Sequence, residues 1–120
     1  MFDHIGFNVD DVARSKAFYT AALAPLGMKV VREREGWAVI GGPSGRLWIG
    51  ALGVAASPIH MAFRADDRAT VDAFYRAAIE AGGRDNGKPG LRPNYAPNYY
   101  AAFVYDPDGH NVEAVAYLAE

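Results

Sequence analysis

The chain has no cysteine, which removes disulfides, thiolate metal sites and cysteine nucleophiles. It has no apolar run near the roughly 20 residues that a membrane-spanning helix needs. Its start, MFDHIGFNVDD, lacks the basic segment and apolar stretch that open a secretory signal, so no signal peptide is expected and a cytoplasmic location is the default. Neither sign of charge dominates. Lys and Arg number 12 against 14 Asp and Glu, with no basic block, which argues against nucleic acid as a partner. What is present is 120 residues, 51% of them apolar, enough for one compact domain with an ordinary core.

The chain repeats itself. HIGFNVDDVARSKAFYTAALAPLG (4–27) lies without gaps on HMAFRADDRATVDAFYRAAIEAGG (60–83). His4 falls on His60, Phe7 on Phe63, Asp10-Asp11 on Asp66-Asp67 and Ala17-Phe18-Tyr19 on Ala73-Phe74-Tyr75, with Gly27 on Gly83. Two helices of similar composition could share AxFYxAA, but not also the histidine and the paired aspartates. Later in each half GGPSGRLWIG (41–50) lies on YDPDGHNVEA (105–114), so the second half carries an insertion. It falls in RDNGKPGLRPNYAPNYY, a stretch rich in Gly, Pro and Asn and therefore expected to be a loop over 84–100.

Each half reads as strand, helix and three strands. The first strands (2–9 and 58–65) alternate. The helices (about 11–26 and 67–81) open on an Asp-Asp cap and close on glycine. MKVVRE, GWAVIG and RLWIGAL follow in the first half. A weak segment near Gly83–Asp85, then YYAAFVYD and HNVEAVAY, follow in the second. GPSG and DPDG form the last hairpin turns. A half of this size has too small a core to stand alone, so residues 1–120 are expected to be one domain of two units, 1–55 and 56–120.

Side chains alternate across a strand. Ile5, Phe7 and Val9 share one face of the first strand, and His4 lies on the other. His60 likewise lies opposite Met61 and Phe63. In the last strand Val112, Ala114 and Ala116 form an apolar face, and Glu113 lies opposite. A lone strand histidine is usually a hydrogen-bonded surface residue, and a lone mid-strand Glu is usually solvated. Here His4 and His60 hold equivalent places in two copies. Two histidines and a carboxylate from three strands suit a divalent first-row metal: Fe, Zn, Mn, Ni or Co.

The βαβββ repeat, the histidine opening each half and the closing DPDGHNVEAV resemble the vicinal oxygen chelate superfamily, the family of glyoxalases, bleomycin resistance proteins and extradiol dioxygenases. The resemblance covers essentially the whole chain. It implies an α+β fold in which two βαβββ repeats form a curved mixed sheet around a central cavity, with helices on the outer face. It also implies a metal held by His4, His60 and Glu113, a small-molecule substrate chelated through vicinal oxygens, and lyase, isomerase or dioxygenase chemistry. Small members pair as homodimers, and some build the site across the subunit interface. On the 41–50 to 105–114 alignment the partner of Glu113 is Ile49, so RLWIGAL offers no fourth ligand of the glyoxalase I kind.

Further candidates follow from position. The 84–100 insertion is read as a lid, in which Tyr99 or Tyr100 could donate to a metal-bound oxygen and Arg92 could hold an anion. Trp37, Val39, Ile49, Phe103, Tyr105 and Arg64 would line the cavity, although each could equally serve packing. His110 lies opposite Glu113 and is read as a turn residue. Asp106 and Asp108 are read as turn-stabilising. The alternative function is a non-catalytic binding protein that sequesters a drug or other small molecule in the same concavity without metal.

Overall fold

A computed structural model of the chain describes residues 2–43 and 45–118. The first unit runs β1 (His4–Asn8), α1 (Val12–Leu23), a 3-10 turn (Ala24–Leu26), β2 (Lys29–Arg34), β3 (Trp37–Gly42) and β4 (Gly45–Gly50). The second runs β5 (His60–Arg64), α2 (Arg68–Glu80), β6 (Arg84–Leu91), β7 (Tyr100–Tyr105) and β8 (Asn111–Ala116). Each unit forms a mixed four-stranded sheet, ordered β1-β4-β3-β2 and β5-β8-β7-β6, with β1 parallel to β4 and β5 parallel to β8. This is the expected pair of βαβββ repeats. β1 and β5 are both edge strands. No helix among the described residues is long and apolar enough to cross a membrane.

The paired aspartates start the helices as expected. The Asp11 carboxylate accepts from the Arg14 N–H at 3.1 Å, and that of Asp67 accepts from the Thr70 N–H at 2.8 Å. Gly27 closes the first helical stretch in the left-handed region, φ 79°, where only glycine is free of strain. Phe18, Tyr19, Ala22 and Leu23 of α1 and Val71, Phe74 and Ala78 of α2 are buried against Ile40, Leu47, Ile49, Val104, Val112 and Ala114. Each large side chain buried this way contributes about 1.5–3 kcal/mol. Each helix thus covers one face of its own sheet and packs against the other helix, which leaves the second sheet faces open.

The loop expected over 84–100 is shorter than the sequence suggested. Residues 84–91 pair with β7 as an edge strand broken by register shifts between Asp85 and Gly87 and between Gly87 and Gly90. An edge strand tolerates bulges and Pro89 because one row of its backbone groups needs no partner. The loop proper is 92–99.

The second unit is clamped to the first through its last turn. Tyr19 of α1 donates to the buried Asp106 carboxylate at 2.5 Å, and Arg14 pairs with Asp108 at 2.7 Å. Asp106 also accepts from the N–H groups of Asp108 and His110, as a turn-stabilising residue should. His110 is buried, accepts from the Ile59 N–H on Nδ1 at 3.0 Å and packs edge-on to Phe7.

Candidate metal centre

Glu113 sits mid-strand on β8, opposite Ala62 of β5 on one side and Phe103 of β7 on the other. Alternation puts it on the sheet face away from α2. It is nonetheless only 2% exposed, because loop 92–99 and its neighbours cover it. A carboxylate so placed must be partnered. Its Oε1 lies 3.0 Å from His60 Nε2, and its Oε2 accepts from the Tyr99 hydroxyl. Burial first, and then the bond to Glu113, push the Tyr99 hydroxyl well above the usual tyrosine range, so it stays a donor.

His60 is held from two further directions. Its Nδ1 is 3.1 Å from the Asn111 carbonyl. A carbonyl only accepts, so Nδ1 carries the proton. In the neutral ring Nε2 is then a bare lone pair facing a carboxylate oxygen at 3.0 Å. Two acceptors at that distance repel unless a proton or a cation lies between them. A backbone carbonyl fixing the far nitrogen of a metal-facing imidazole is also the usual outer support of a metal ligand. The pair therefore fits a divalent ion, with one nitrogen and one oxygen donor. The ring is steadied by Phe103, stacked at 6.3 Å and 22°, and Phe103 carries the Arg92 guanidinium 5.3 Å above it.

The other expected residues are distributed unevenly. His4 is exposed, and its Nδ1 bonds Asp3 at 2.9 Å. Among the described residues no group of three or more His, Asp and Glu side chains is close enough to hold a metal ion, so within one chain His4 does not join His60 and Glu113. Tyr100 is a correction: its hydroxyl bonds Asp72 of α2 at 2.7 Å, because alternation from Phe103 turns it to the helix side of the sheet. Arg92 is tied to the loop: its guanidinium donates to the carbonyls of Gly90 and Lys88 at 2.8 and 2.9 Å. Trp37, Val39 and Tyr105 are half-buried on the open faces, and Tyr105 lies under the Arg84 guanidinium.

Ile49 is a second correction. It is fully buried in the core. The strand pairing shows why. His4 pairs with Arg46 and Gly6 with Trp48, as His60 pairs with Asn111 and Ala62 with Glu113. Between the equivalent pairs Gly41–Arg46 and Tyr105–Asn111 the second hairpin holds one residue more, so the counterpart of Glu113 is Trp48. The sequence signal was there in the flanking glycines. A Cβ on Gly50 would come within 2.4 Å of the Trp48 ring, and one on Gly6 within 3.2 Å, so both give the indole room. Tyr117, to which the sequence pattern assigned no role, packs edge-on against Tyr99 at 5.2 Å, and Tyr95 packs on the same ring at 5.2 Å.

Residues 1–114 match the family model described as Glyoxalase/Bleomycin resistance protein/Dioxygenase superfamily. No curated protein matches the chain. Among solved structures, a glyoxalase/bleomycin resistance protein from Albidiferax ferrireducens T118 is 31% identical, with 97% of this chain and 98% of that one covered and a TM-score of 0.83. A lactoylglutathione lyase from Agrobacterium tumefaciens shares the fold at 18% identity and a TM-score of 0.73, covering 97% of this chain and 92% of that one.

Proposed function

The chain belongs to the Glyoxalase/Bleomycin resistance protein/Dioxygenase superfamily, and from that premise we propose that it is a metal-dependent enzyme acting on a small substrate with two vicinal oxygens. The observation that carries the reading is the meeting of His60 Nε2 and Glu113 Oε1 at 3.0 Å with the imidazole proton committed to Asn111. His4 is the third ligand in this reading. Since His4 stands apart from the pair within one chain, it is supplied by a second copy in a homodimer.

A divalent ion held by these groups would act as a Lewis acid toward the substrate oxygens, in lyase, isomerase or dioxygenase chemistry. The chain's own residues do the rest. Tyr99 fixes the Glu113 carboxylate and keeps its second oxygen from swinging. Phe103, braced by Arg92, holds the His60 ring. Trp37, Val39, Phe103 and Tyr105 give the open faces an apolar and aromatic lining that excludes water around a planar substrate. One observation favours a second reading, a binding protein without chemistry: only two of the three ligands meet in one chain.

The test is metal content by mass spectrometry on protein purified without nickel or chelator, with His4→Ala, His60→Ala and Glu113→Ala variants. Near-stoichiometric metal lost in each variant is expected. Mixing His4→Ala with His60→Ala after mild dissociation should restore about a quarter of the wild-type sites, because half the dimers are mixed and each mixed dimer has one whole site. Absence of metal in the wild type after micromolar titration would favour the binding protein instead.

A further inference from the structure

We propose that the open face of the first sheet binds a flat aromatic anion: the ring lies on the Trp48 indole, and the anionic group is taken by Arg46 and Arg32. This goes beyond the metal reading and does not depend on the His60–Glu113 pair, which belongs to the other sheet.

Trp48 supplies the floor. It stands on β4 between Gly6 of β1 and Val39 of β3, its partners across the sheet. Its benzo ring spans two bare glycines. The Cε3 edge is 3.2 Å from where a Cβ on Gly6 would stand, and the Cη2 edge is 2.4 Å from that of Gly50. The indole is therefore laid along the strands, with one side against backbone. It is half-buried, and among the described residues no ring, cation or hydrogen-bond partner engages it. An indole so placed offers a free π surface for another flat ring and an uncommitted N–H at its edge.

Alternation brings the charges to the same face. Arg46 is two residues from Trp48 on β4, roughly 6.6 Å along the strand. Its stem leans over Gly41, with Cγ 3.1 Å from where a Cβ there would stand. Arg32 pairs with Val39, the cross-strand partner of Trp48, and so lies about 9.6 Å away across the sheet. Its guanidinium is 5.9 Å over the ring of Trp37, the second indole of this face. Both spans are within reach of an arginine side chain across one aromatic ring. Both arginines are exposed, and among the described residues neither is in an ion pair. No strand residue of this face is Asp or Glu. Glu33 pairs with Ala38 on the helix side and bonds Lys16 of α1. Asp3, at the border, is engaged first by His4 at 2.9 Å and only weakly by Arg46. The chain as a whole is net −2, so a cationic, aromatic face is a local feature and not a reflection of composition. Guanidinium groups recognise carboxylate and phosphate through paired donors, which makes the ligand class a planar aromatic carboxylate or phosphate.

The experiment is calorimetric binding of three probes in the presence of EDTA, so that its failure is separate from that of the metal reading. The probes are 2-naphthoate, 2-naphthylmethanol, which lacks the charge, and cyclohexanecarboxylate, which lacks the aromatic ring. Wild type should bind 2-naphthoate about tenfold or more tightly than either of the others. Trp48→Leu should bring 2-naphthoate within about twofold of cyclohexanecarboxylate, and Trp48→Phe should keep part of the preference. Arg32→Gln combined with Arg46→Gln should bring it within about twofold of 2-naphthylmethanol, whereas Arg84→Gln, on the second sheet, should change nothing. The indole N–H resonance of Trp48, identified by its loss in Trp48→Phe, should move as 2-naphthoate is added. Equal binding of the three probes, a preference that survives in Trp48→Leu, or no binding at millimolar concentration would overturn the proposal. So would a Trp48 resonance that moves on dilution but not with the probe, which would give this face to a second copy of the chain. Tighter binding of a single-stranded oligonucleotide through the same residues would overturn the small-ligand assignment.

Discussion

Trp48 faces Gly6 across the first sheet as Glu113 faces Ala62 across the second. The two repeats have thus diverged at their most informative position, an indole in one and a buried carboxylate in the other. The indole lies across Gly50, whose missing Cβ leaves it room. Gly50→Ala should force Trp48 out of its place. The expected outcome is a destabilisation of about 1–3 kcal/mol in denaturant melts, accompanied by a shift of tryptophan emission. Unchanged emission would show that the ring does not rest there.

Tyr99 holds Glu113 from the side opposite His60. Tyr99→Phe keeps the ring contacts with Tyr95 and Tyr117 but frees the carboxylate. Metal affinity should fall by about 10–100-fold, the usual effect of losing an outer-shell bond, and stability should fall by about 1–3 kcal/mol because a buried carboxylate is left short of a donor. Competition with a metallochromic indicator measures it. Equal affinity in the two proteins would remove Tyr99 from the site.

The repeat makes a paired stability prediction. Tyr19 and Tyr75 are equivalent, but Tyr19 is buried and bonds the buried Asp106, while Tyr75 bonds the exposed Asp85. Tyr19→Phe should cost about 1–3 kcal/mol, because it leaves a buried carboxylate short of a donor. Tyr75→Phe should cost clearly less. Equal losses in urea melts would mean that the turn carrying Asp106 is not the clamp between the units.

Acid should weaken the cap of α2. The Thr70 hydroxyl and N–H hold the Asp67 carboxyl below its ordinary value of 3.8. A carboxyl depressed in the folded state stabilises it at pH above the unfolded value and loses that contribution as pH falls through the folded one. The melting temperature of wild type should therefore drop more steeply below pH 3.8 than that of Asp67→Asn, whose cap does not titrate. Parallel profiles would assign the acid sensitivity to other carboxylates, of which Asp85, also depressed by its bonds to the Gly87 N–H and Tyr75, is the next candidate.

Tight packing at the start of β6 supplies one more test. A Cβ on Gly83 would stand 2.4 Å from a Val104 methyl and 2.8 Å from the Ala78 carbonyl oxygen. Gly83→Ala should therefore destabilise by about 1–3 kcal/mol, whereas Gly82→Ala meets no atom and suffers only backbone strain at φ 100°. A Gly83→Ala protein as stable as wild type would show that β6 can shift at no cost.

The sequence by itself determined the two βαβββ units, the caps at Asp11 and Asp67, the apolar faces turned to the helices and the placing of His60 and Glu113 on the faces away from them. These are properties of local period and of repetition, and alternation along one strand needs no knowledge of its neighbours. The tertiary structure alone decided what depends on how strands pair and where the two units come to rest. A single extra residue in one hairpin moved the counterpart of Glu113 from Ile49 to Trp48, because register is set by turn length. Pairing with β7 turned a Gly- and Pro-rich stretch into the edge strand 84–91. Packing between the units left His4 apart from the pair it was expected to complete. It also tied Arg92 to the loop carbonyls of Gly90 and Lys88. These outcomes depend on contacts between residues far apart in the chain, which no local pattern encodes.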